Sequence, residues 1–393
     1  MSVFESTFDR NRIFLASCLA LTVTSMTFAI RARLETVFQI DYGLTSQDIG
    51  LAFGPAFWGF TLAMVIGGPL VDLFGMKRIV SLAFIGHAIG IVLTIFAFDF
   101  WTLFWGTLFI GIGNGMVEAA LNPLIATLYP DQKTKMLNRF HVWFPGGIVI
   151  GSLAAYFLID ILGLPWQTML IVLFLPLIIY GILFFKTTLP KTERVVMGVS
   201  YSGMWKSLLK PLFLFMALCM LLTAATELGT NQRIESLLTD TGVSAILVLA
   251  FINGIMAIGR LFAGPVVHRL NTTGMLLFSA VFSFLGLIWL SSASGYTTFA
   301  AAGVFAIGIC YFWPTMLSFV SENIPESGAL GLSVMGGLGM FSVSLVLPIM
   351  GTFLDADMSG RETLRIMSYL PAVLILAFGL LFLFKKRSKP AEV

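Results

Sequence analysis

The sequence predicts an all-α polytopic membrane protein in which twelve transmembrane helices form two pseudo-symmetric six-helix halves. Three observations lead to this fold class: the composition is strongly apolar, the apolar residues lie in long unbroken runs, and one short segment recurs half a chain length later. Of the 393 residues, 58% are hydrophobic and 11% are charged, whereas soluble domains carry roughly 25% charged residues. Most of this chain therefore cannot face water, and a lipid bilayer is its expected surrounding.

The apolar residues lie in runs that are long enough to cross a membrane. A transmembrane helix needs about 20 mostly apolar residues, whereas a β-barrel would show alternating segments of about 10 residues. Unbroken runs of the first kind occur twelve times, so we predict twelve spans. They cover residues 13–34, 47–71, 79–98, 101–128, 137–160, 165–185, 211–238, 243–268, 273–292, 297–320, 329–354 and 366–384.

The two halves are predicted from a repeat and from a polar interruption. Residues 68–75 read GPLVDLFG and residues 264–271 read GPVVHRLN, 196 positions later. Each copy follows an even-numbered span, as a duplicated six-helix unit requires. The longest polar interruption lies between the copies. We therefore predict an N-terminal half over 1–185, a cytoplasmic linker over 186–210 and a C-terminal half over 211–393.

Lysine and arginine residues predict the orientation. They concentrate in the loops on the side of both termini, and only five arginines are placed on or near the other side. Because positively charged loops stay in the cytoplasm, we predict a multi-pass protein of the inner (plasma) membrane with both termini in the cytoplasm. The five arginines of the other side are Arg31, Arg33, Arg233, Arg361 and Arg365.

The composition and the motifs exclude several classes of protein. The net charge is only +3 and the basic residues are scattered, which is unlike a nucleic-acid-binding surface. Each of the three cysteines lies in an apolar run, which is unlike a disulfide scaffold. The sequence contains no nucleotide-binding loop, metal-ligand spacing or nucleophile motif. We therefore predict neither an enzyme nor a bound cofactor.

A polar stripe in the fourth span is the first candidate site. Asn114, Glu118 and Asn122 recur at every fourth position, which places them on one face of a helix. An ionisable group inside a bilayer costs roughly 2.5–3.5 kcal/mol on insertion scales, so such groups normally face a cavity or a partner. We expect Glu118 to couple a proton and to orient a solute together with the two asparagines. A polar packing seam between helices is the alternative.

Spans 1 and 7 carry the second candidate site. Glu227 and Asn231 repeat the spacing of four in span 7, and Arg31 lies on a polar face of span 1. The repeat offset maps Arg31 onto Glu227, so we predict that these two residues pair when the outer side closes. A direct contact between Arg31 and an anionic solute is the alternative.

Further polar and aromatic residues stay open between binding and packing. His141 begins span 5 as a solute contact or as an anchor at the membrane interface. Tyr311 and Trp313 in span 10 suit stacking on a sugar ring and also ordinary aromatic packing. His87 is interpreted as a packing or lipid-facing residue, and Arg260 as the partner of a carbonyl or an acid.

The loop after span 2 resembles the signature of a known family. It is similar to the loop between spans 2 and 3 of the major facilitator superfamily, which combines glycines, an acid and basic residues. The resemblance implies that Asp72 supports contacts at the cytoplasmic face. One basic position of the signature is Leu73 here. The matching residues are Gly68, Asp72, Gly75, Lys77 and Arg78.

A narrower resemblance is to the fucose–proton symporter family within that superfamily. Residues 118–123 read Glu-Ala-Ala-Leu-Asn-Pro, where that family has Glu-Thr-Ala-Ala-Asn-Pro. Residues 313–315 read Trp-Pro-Thr and are similar to its Phe-Pro-Thr. The chain departs from the family in span 1, which has no acid near Thr24. It departs again in span 5, where the substrate-binding Gln and Asn of the family fall on His141 and Phe144.

The resemblance implies a secondary active transporter that moves a small polar solute by proton-coupled alternating access. The favoured solute is a sugar or a sugar derivative, and the proton is the expected coupling ion. An organic-anion importer that uses Arg31 and a proton-driven exporter of drugs or metabolites are the alternatives. We expect a monomer.

Overall fold

The computed structural model describes residues 9–130, 133–191 and 201–387, and these residues form helices joined by short loops. Within these described ranges, eleven helices are long and apolar enough to cross a membrane, and one further helix is apolar but shorter. The predicted all-helical polytopic fold is confirmed, with twelve helices for the twelve predicted runs. In chain order they are α1 Arg10–Tyr42, α2 Ser46–Phe74, α3 Met76–Ile95, α4 Phe100–Leu128, α5 Arg139–Ile161, α6 Gln167–Phe185, α7 Pro211–Gln232, α8 Ala245–Leu261, α9 Arg269–Leu290, α10 Thr297–Asn323, α11 Leu330–Asp355 and α12 Gly360–Phe384.

Both described ends of the chain lie on one side of the bundle, because twelve passes return the chain to its starting side. We call this side the terminal face; it carries the start of α1 and the end of α12. The opposite side, the distal face, carries the end of α1 and the start of α2. The N-terminal half consists of α1–α6 and the C-terminal half of α7–α12. Of the predicted linker, residues 192–200 lie outside the described residues, and Tyr201–Ser207 forms a short helix.

Several helices are irregular. A π-helical turn over Tyr156–Ile161 ends α5, and a second one over Ala225–Gly229 interrupts α7. A π-turn widens the helix and is often found at functional sites. Glu227 lies in the second of these turns.

Five of the described helices are interrupted by one or more residues that are not α-helical. Their regular parts are Lys133–His141 and Trp143–Ala155 at α5, Gln167–Val172 and Phe174–Phe185 in α6, Pro211–Ala224 and Thr230–Gln232 in α7, Thr297–Ile309 and Phe312–Asn323 in α10, and Gly360–Met367 and Tyr369–Arg387 at α12.

The junction between α8 and α9 differs from the prediction. The run predicted over 243–268 is regular only as far as Leu261, and the next helical segment contains Asn271 with φ 52° and ψ 173°. Gly75, at the matching position of the sequence repeat, has φ 84° and ψ 149°. Glycine and asparagine accept a positive φ more readily than other residues. The two copies of the repeat therefore share an unusual backbone conformation as well as a sequence.

The two halves pack against each other through several pairs of described helices. The most extensive contact joins α2 to α11, and further contacts join α5 to α8, α1 to α7 and α1 to α8. The helices α2 and α11 approach closely, since a Cβ added at Gly50 would lie 2.7 Å from the backbone of Pro348. Nearer the middle, the Thr61 hydroxyl donates to the carbonyl of Gly337 at 2.7 Å. Small residues permit such close helix contacts inside a membrane. The predicted site residues lie along this interface and behind it.

Candidate functional site

Three of the predicted residues form one hydrogen-bonded cluster in the N-terminal half. The Asn122 side chain donates from Nδ2 to Oε2 of Glu118 at 2.7 Å. Its Oδ1 lies 2.9 Å from Nε2 of His141. Because an amide oxygen can only accept, Nε2 of His141 must carry the proton in this contact. The structure thus places Glu118 and Asn122 of α4 together with His141 of α5.

Asn114, the third member of the predicted stripe, is held by other residues. It is fully buried, its Oδ1 lies 2.8 Å from Nε2 of His87, and its Nδ2 donates to Thr27 at 3.2 Å. The other ring nitrogen of His87 lies 3.1 Å from the hydroxyl of Tyr180. The Thr27 hydroxyl in turn donates to the Thr24 carbonyl at 2.5 Å. This chain connects four helices, so the packing interpretation of His87 is confirmed and the lipid-facing one is wrong.

Arg31 is buried at the interface between the halves with part of its guanidinium unused. Only 2% of the residue is exposed. Nε donates to Oε1 of Gln232 at 3.1 Å, whereas both Nη atoms are buried without a hydrogen-bond partner. The guanidinium carbon lies 4.7 Å from the ring centre of Phe28 and 5.0 Å from that of Phe57. Cation–π contacts of this kind hold the charge in place without satisfying its N–H groups.

The Phe144 ring packs on one of the two aromatic rings that lie against Arg31. It meets the Phe28 ring edge-on, with ring centres 5.2 Å apart. Phe144 occupies one of the two span-5 positions at which the fucose–proton symporter family has an amide side chain. The aromatic residue there therefore supports the ring that lies on Arg31 and supplies no hydrogen bond.

The predicted pair between Arg31 and Glu227 does not form. Glu227 faces Arg260 of α8 instead, with Oε1 3.6 Å from Nη2. The contacts at the distal face are formed in this structure without the Arg31–Glu227 pair, and pairing on closure of the outer side stays a prediction. Arg31 reaches Gln232, which follows the π-turn that holds Glu227. The turn changes which side of α7 meets α1, and a fixed offset along the chain cannot describe this.

Arg260 contacts both a carbonyl group and an acid, which were the two alternative partners predicted for it. Its Nε donates to the carbonyl of Cys310 at 3.1 Å, where α10 is broken, and Nη2 faces Glu227. The next residue, Tyr311, donates its hydroxyl to the carbonyl of Gly259 at 3.2 Å. The His141 ring lies within electrostatic range of Glu118 on its own half and of Arg260 on the other half. The helices that carry His141 and Arg260, α5 and α8, pack against each other across the interface.

The last two predicted contact residues are Asn231 and Trp313, and they differ in whether they have a partner. Asn231 is buried, and neither its Oδ1 nor its Nδ2 has a hydrogen-bond partner. The Trp313 ring packs over α11, where a Cβ added at Gly339 would lie 2.8 Å from it. The structure thus leaves the amide of Asn231 free and gives Trp313 a packing role beside the interface.

Charged residues near the distal face join the halves in a way that the sequence did not reveal. Arg233 is 2% exposed and forms an ion pair with Glu35, and its Nη2 donates to the carbonyls of Ser46 and Leu347 at 2.6 and 2.7 Å. The hydroxyl of Ser236 donates to the same carboxylate at 2.7 Å. One arginine thereby ties α1, α2 and α11 to the end of α7.

Three more carboxylates complete this cluster, which we call the distal lock. Arg33 binds Asp160 at 2.5 Å and Glu235 at 3.2 Å. Asp355, at the end of α11, accepts from the backbone N–H groups that begin α2, at 2.8 and 2.7 Å. A carboxylate is stabilised there by the unpaired N–H groups and by the helix dipole. The distal lock consists of Arg33, Glu35, Asp160, Arg233, Glu235 and Asp355.

The signature loop lies at the terminal face. Gly75 ends α2 with its positive φ, and Lys77 donates from Nζ to the carbonyl of Phe185 at 3.1 Å, at the end of α6. Asp72 is half-buried and Arg78 is exposed. A Cβ added at Gly68 would meet no heavy atom within 4 Å. The loop thus connects α2, α3 and α6 within one half, and the conformational role of Asp72 stays a prediction.

The sequence model of the Major Facilitator Superfamily matches residues 13–345 of this chain. The chain belongs to the Major Facilitator Superfamily. This family indicates a transporter rather than an enzyme, in agreement with the sequence prediction.

Curated relatives align with only part of the chain. The chain is 29% identical over 128 residues to sodium-dependent phosphate transport protein 1, chloroplastic, of Arabidopsis thaliana, covering 32% of this chain and 25% of that protein. It is 32% identical over 117 residues to dipeptide and tripeptide permease A of Proteus mirabilis, covering 29% and 22%. It is 21% identical over 160 residues to the hexuronate transporter of Bacillus subtilis, covering 40% and 37%. Each alignment spans less than half of the relative.

Solved structures share the fold over nearly the whole chain. The xylose transporter XylE from E. coli, in a partially occluded inward open conformation, has a TM-score of 0.77 at 13% identity and covers 93% of this chain and 96% of its own. The E. coli fucose:proton symporter FucP has a TM-score of 0.67 at 16% identity, covering 95% and 99%. The nucleoside transporter NupG has a TM-score of 0.73 at 14% identity, covering 95% and 100%. The expected resemblance to sugar–proton symporters is confirmed at the level of the fold.

Proposed function

We propose that this transporter carries a small organic anion with hydroxyl groups, such as a sugar acid, together with a proton. A sugar acid combines the sugar derivative favoured by the sequence with the anion of the first alternative. The two halves would rock around the interface so that the solute site faces one side of the membrane at a time.

The unpaired guanidinium of Arg31 is the observation that carries the proposal. A buried charge without a partner is costly, and a matching ion with hydrogen bonds offsets the cost. The two Nη atoms suit the two oxygens of a carboxylate, which arginine binds with a pair of parallel hydrogen bonds. A neutral sugar would leave the charge of Arg31 uncompensated.

Unpaired polar atoms of the same interface suit the hydroxyl groups of such a solute. The amide of Asn231 and the hydroxyl of Thr24 are buried without hydrogen-bond partners. Thr24 lies two helical turns before Arg31 on one face of α1. An amide supplies both donors and acceptors, which is what a hydroxyl group requires.

The relatives support an anionic solute without determining it. Their names include a phosphate transport protein and a hexuronate transporter, and the solved neighbours include a fucose:proton symporter. A hexuronate is a sugar that carries a carboxylate, so it unites both groups of names.

The proposal includes the orientation of the chain. The concentration of lysine and arginine on the terminal face supports placing that face in the cytoplasm of a cell with the protein in its inner (plasma) membrane. The distal lock would then close the outer side. We propose that a monomer is the working unit, since the interface described here lies between two halves of one chain.

Uptake into liposomes tests the proposed function. The purified full chain is reconstituted, and accumulation of labelled D-glucuronate is compared with that of D-glucose, with and without an acidic exterior. We expect D-glucuronate to accumulate above equilibrium only with the proton gradient, and D-glucose to remain at background. Gradient-driven accumulation of D-glucose, with D-glucuronate and other organic acids left outside, would overturn the assignment to anions.

A further inference from the structure

Two of the buried ion pairs in the described part of the chain differ in how closely their charged groups approach each other. The side chains of Arg233 and Glu35 are 2% and 0% exposed, and Arg233 also donates to two carbonyl groups. The side chains of Arg260 and Glu227 are 12% and 4% exposed, and their closest atoms are 3.6 Å apart. That separation exceeds the range of a hydrogen bond. The first pair is fixed, whereas the second is a loose charge contact.

The guanidinium of Arg260 is hydrogen-bonded at Nε, whereas its terminal nitrogens form no hydrogen bond with Glu227. Its Nε is held by the carbonyl of Cys310 at 3.1 Å, which is exposed by the break in α10 beside Tyr311. This contact fixes the direction of the guanidinium. The terminal nitrogens then face Glu227 without a hydrogen bond, so another carboxylate can compete for them at little cost.

The groups around this pair belong to both halves. His141 of α5 lies within electrostatic range of Arg260, and Cys310 of α10 within range of both members of the pair. Beside Cys310, the hydroxyl of Tyr311 donates to the carbonyl of Gly259, the residue before Arg260. Around the π-turn itself, α11 and α12 present Val346, Met350 and Met367 to Gly229. Arg260 is thus the one strong positive charge near Glu227 in the described structure.

We propose that Arg260 is a second contact for the anionic group of the solute, and that Glu227 holds this contact while the solute is absent. A proton binds to a carboxylate oxygen of Glu227 and neutralises it, and the terminal nitrogens of Arg260 are released. They then bind an oxygen of the solute carboxylate. When the solute leaves, the proton leaves Glu227 and the pair forms again. One proton and one negative charge cross together, so this step moves no net charge.

This inference rests on the proposed transport of an anion, and it assigns the coupling to a particular pair. A static structural pair and a coupling pair predict different effects when Glu227 is replaced by a neutral residue. A static pair predicts that Glu227→Gln lowers thermal stability and leaves coupling intact. The coupling pair predicts that the same change mimics the protonated state, keeps the solute site open and abolishes the response to protons.

The experiment uses the full chain in liposomes and in detergent, with D-glucuronate as the probe. For Glu227→Gln we expect gradient-driven accumulation to fall to the equilibrium level while counterflow exchange of D-glucuronate is retained. Its affinity should no longer change with pH, whereas wild-type affinity should weaken as the pH rises and Glu227 loses its proton. Glu322→Gln, which replaces an exposed carboxylate at the terminal face, is the matched control and should behave like wild type.

Two further variants keep the inference falsifiable if Glu227→Gln does not fold. Glu227→Asp keeps a titratable carboxyl and should keep accumulation, at a reduced rate. Arg260→Gln should weaken D-glucuronate binding about 10-fold or more, since a charge-assisted contact is lost, and adding Glu227→Gln to it should change nothing further.

The outcomes separate the inference from the function on which it rests. If wild-type protein carries D-glucuronate and Glu227→Gln accumulates it equally well with an unchanged pH response, the coupling pair is refuted and the proposed function stands. If Glu227→Asp has wild-type stability but loses accumulation, or Arg260→Gln binds like wild type, the inference also fails. If wild-type protein carries no organic acid, both proposals fail together.

Discussion

The distal and central parts of the interface between the halves use charged residues in opposite ways. Near the distal face, Arg233 binds Glu35 and two carbonyl oxygens, and Asp355 caps the start of α2. In the middle, Arg31 keeps two nitrogens without partners and Arg260 meets its acid only loosely. The hydrogen bonds described above between the halves extend from Thr61 to the distal face. The distal charges therefore hold a conformation, whereas the central charges stay free for a solute.

The contacts near the distal face also indicate which conformation the structure represents, namely one in which the distal side of the interface is closed. Ion pairs and hydrogen bonds at the distal face close that side of the interface. A transporter that alternates must break them to open the other way, so their combined free energy sets part of the balance between the two states. Changes in the distal lock should shift this balance, and changes in the central charges should alter solute binding.

The largest shift is expected from Arg233→Gln. Removing the guanidinium leaves the buried Glu35 without its partner, which costs about 3–5 kcal/mol. We expect the equilibrium constant that favours the distal-closed state to fall by roughly 100- to several thousand-fold. The measurement is the maleimide reaction rate of a cysteine placed at Ser344, in a chain whose three native cysteines are replaced by alanine. Ser344 lies on α11 opposite Gly54 of α2 and is 9% exposed.

The control for this change is Arg365→Gln, because Arg365 is exposed near the distal face outside the lock. The double variant with Glu35→Gln should lose less than the sum of the two single changes, since the uncompensated charge is then absent. A reaction rate in Arg233→Gln that equals the wild-type rate would show that the distal lock does not hold this state.

A smaller shift is expected from Gly50→Ala. The added Cβ would lie 2.6 Å from Nη2 of Arg233 and 2.7 Å from the backbone of Pro348, so the guanidinium must shift and α2 and α11 must separate near the distal face. Overpacking of this kind costs about 1–3 kcal/mol, and the reaction rate at residue 344 should rise on the order of 10-fold. Gly254→Ala is the matched control, because a Cβ there meets no atom within 4 Å. Equal rates in the two variants would mean that close helix contact is not required for closure.

The smallest shift is expected from Asp355→Asn. Asparagine can still accept from the first N–H groups of α2, but it lacks the charge that the helix dipole stabilises, a difference of about 0.3–1 kcal/mol. The same labelling rate should rise about 2- to 5-fold, and the increase should shrink at high salt because exposed charges are screened. An effect as large as that of Arg233→Gln would assign the main closing contact to Asp355 instead.

The sequence predicted the fold well because the bilayer imposes long apolar runs that are visible without any structure. The repeat was also visible, and Gly75 and Asn271 share its unusual backbone conformation. The end of α8 was missed, since the apolar run continues through the break at Phe262 and composition does not record a change of direction.

The sequence predicted the local cluster of Glu118 and Asn122 because both lie on one face of a single helix. It could not predict the partners of Arg31 and Glu227, which depend on the rotation of α7 after a π-turn. The distal lock was missed for a similar reason. Arg233 and Glu35 lie far apart in sequence, and arginines near the distal face were interpreted only as markers of orientation. Charged residues near the ends of several spans on one side are a signal that could have indicated such a lock.

The most direct test of the account is the binding of an anion at Arg31. D-glucuronate and D-glucose are titrated calorimetrically into the purified full chain, into Arg31→Gln and into the control Arg365→Gln. Loss of a buried, hydrogen-bonded charge pair costs about 2–5 kcal/mol, so Arg31→Gln should weaken D-glucuronate binding about 30-fold or more, while the control binds like wild type and D-glucose binds to none of them. Undiminished D-glucuronate binding by a folded Arg31→Gln protein would contradict the account.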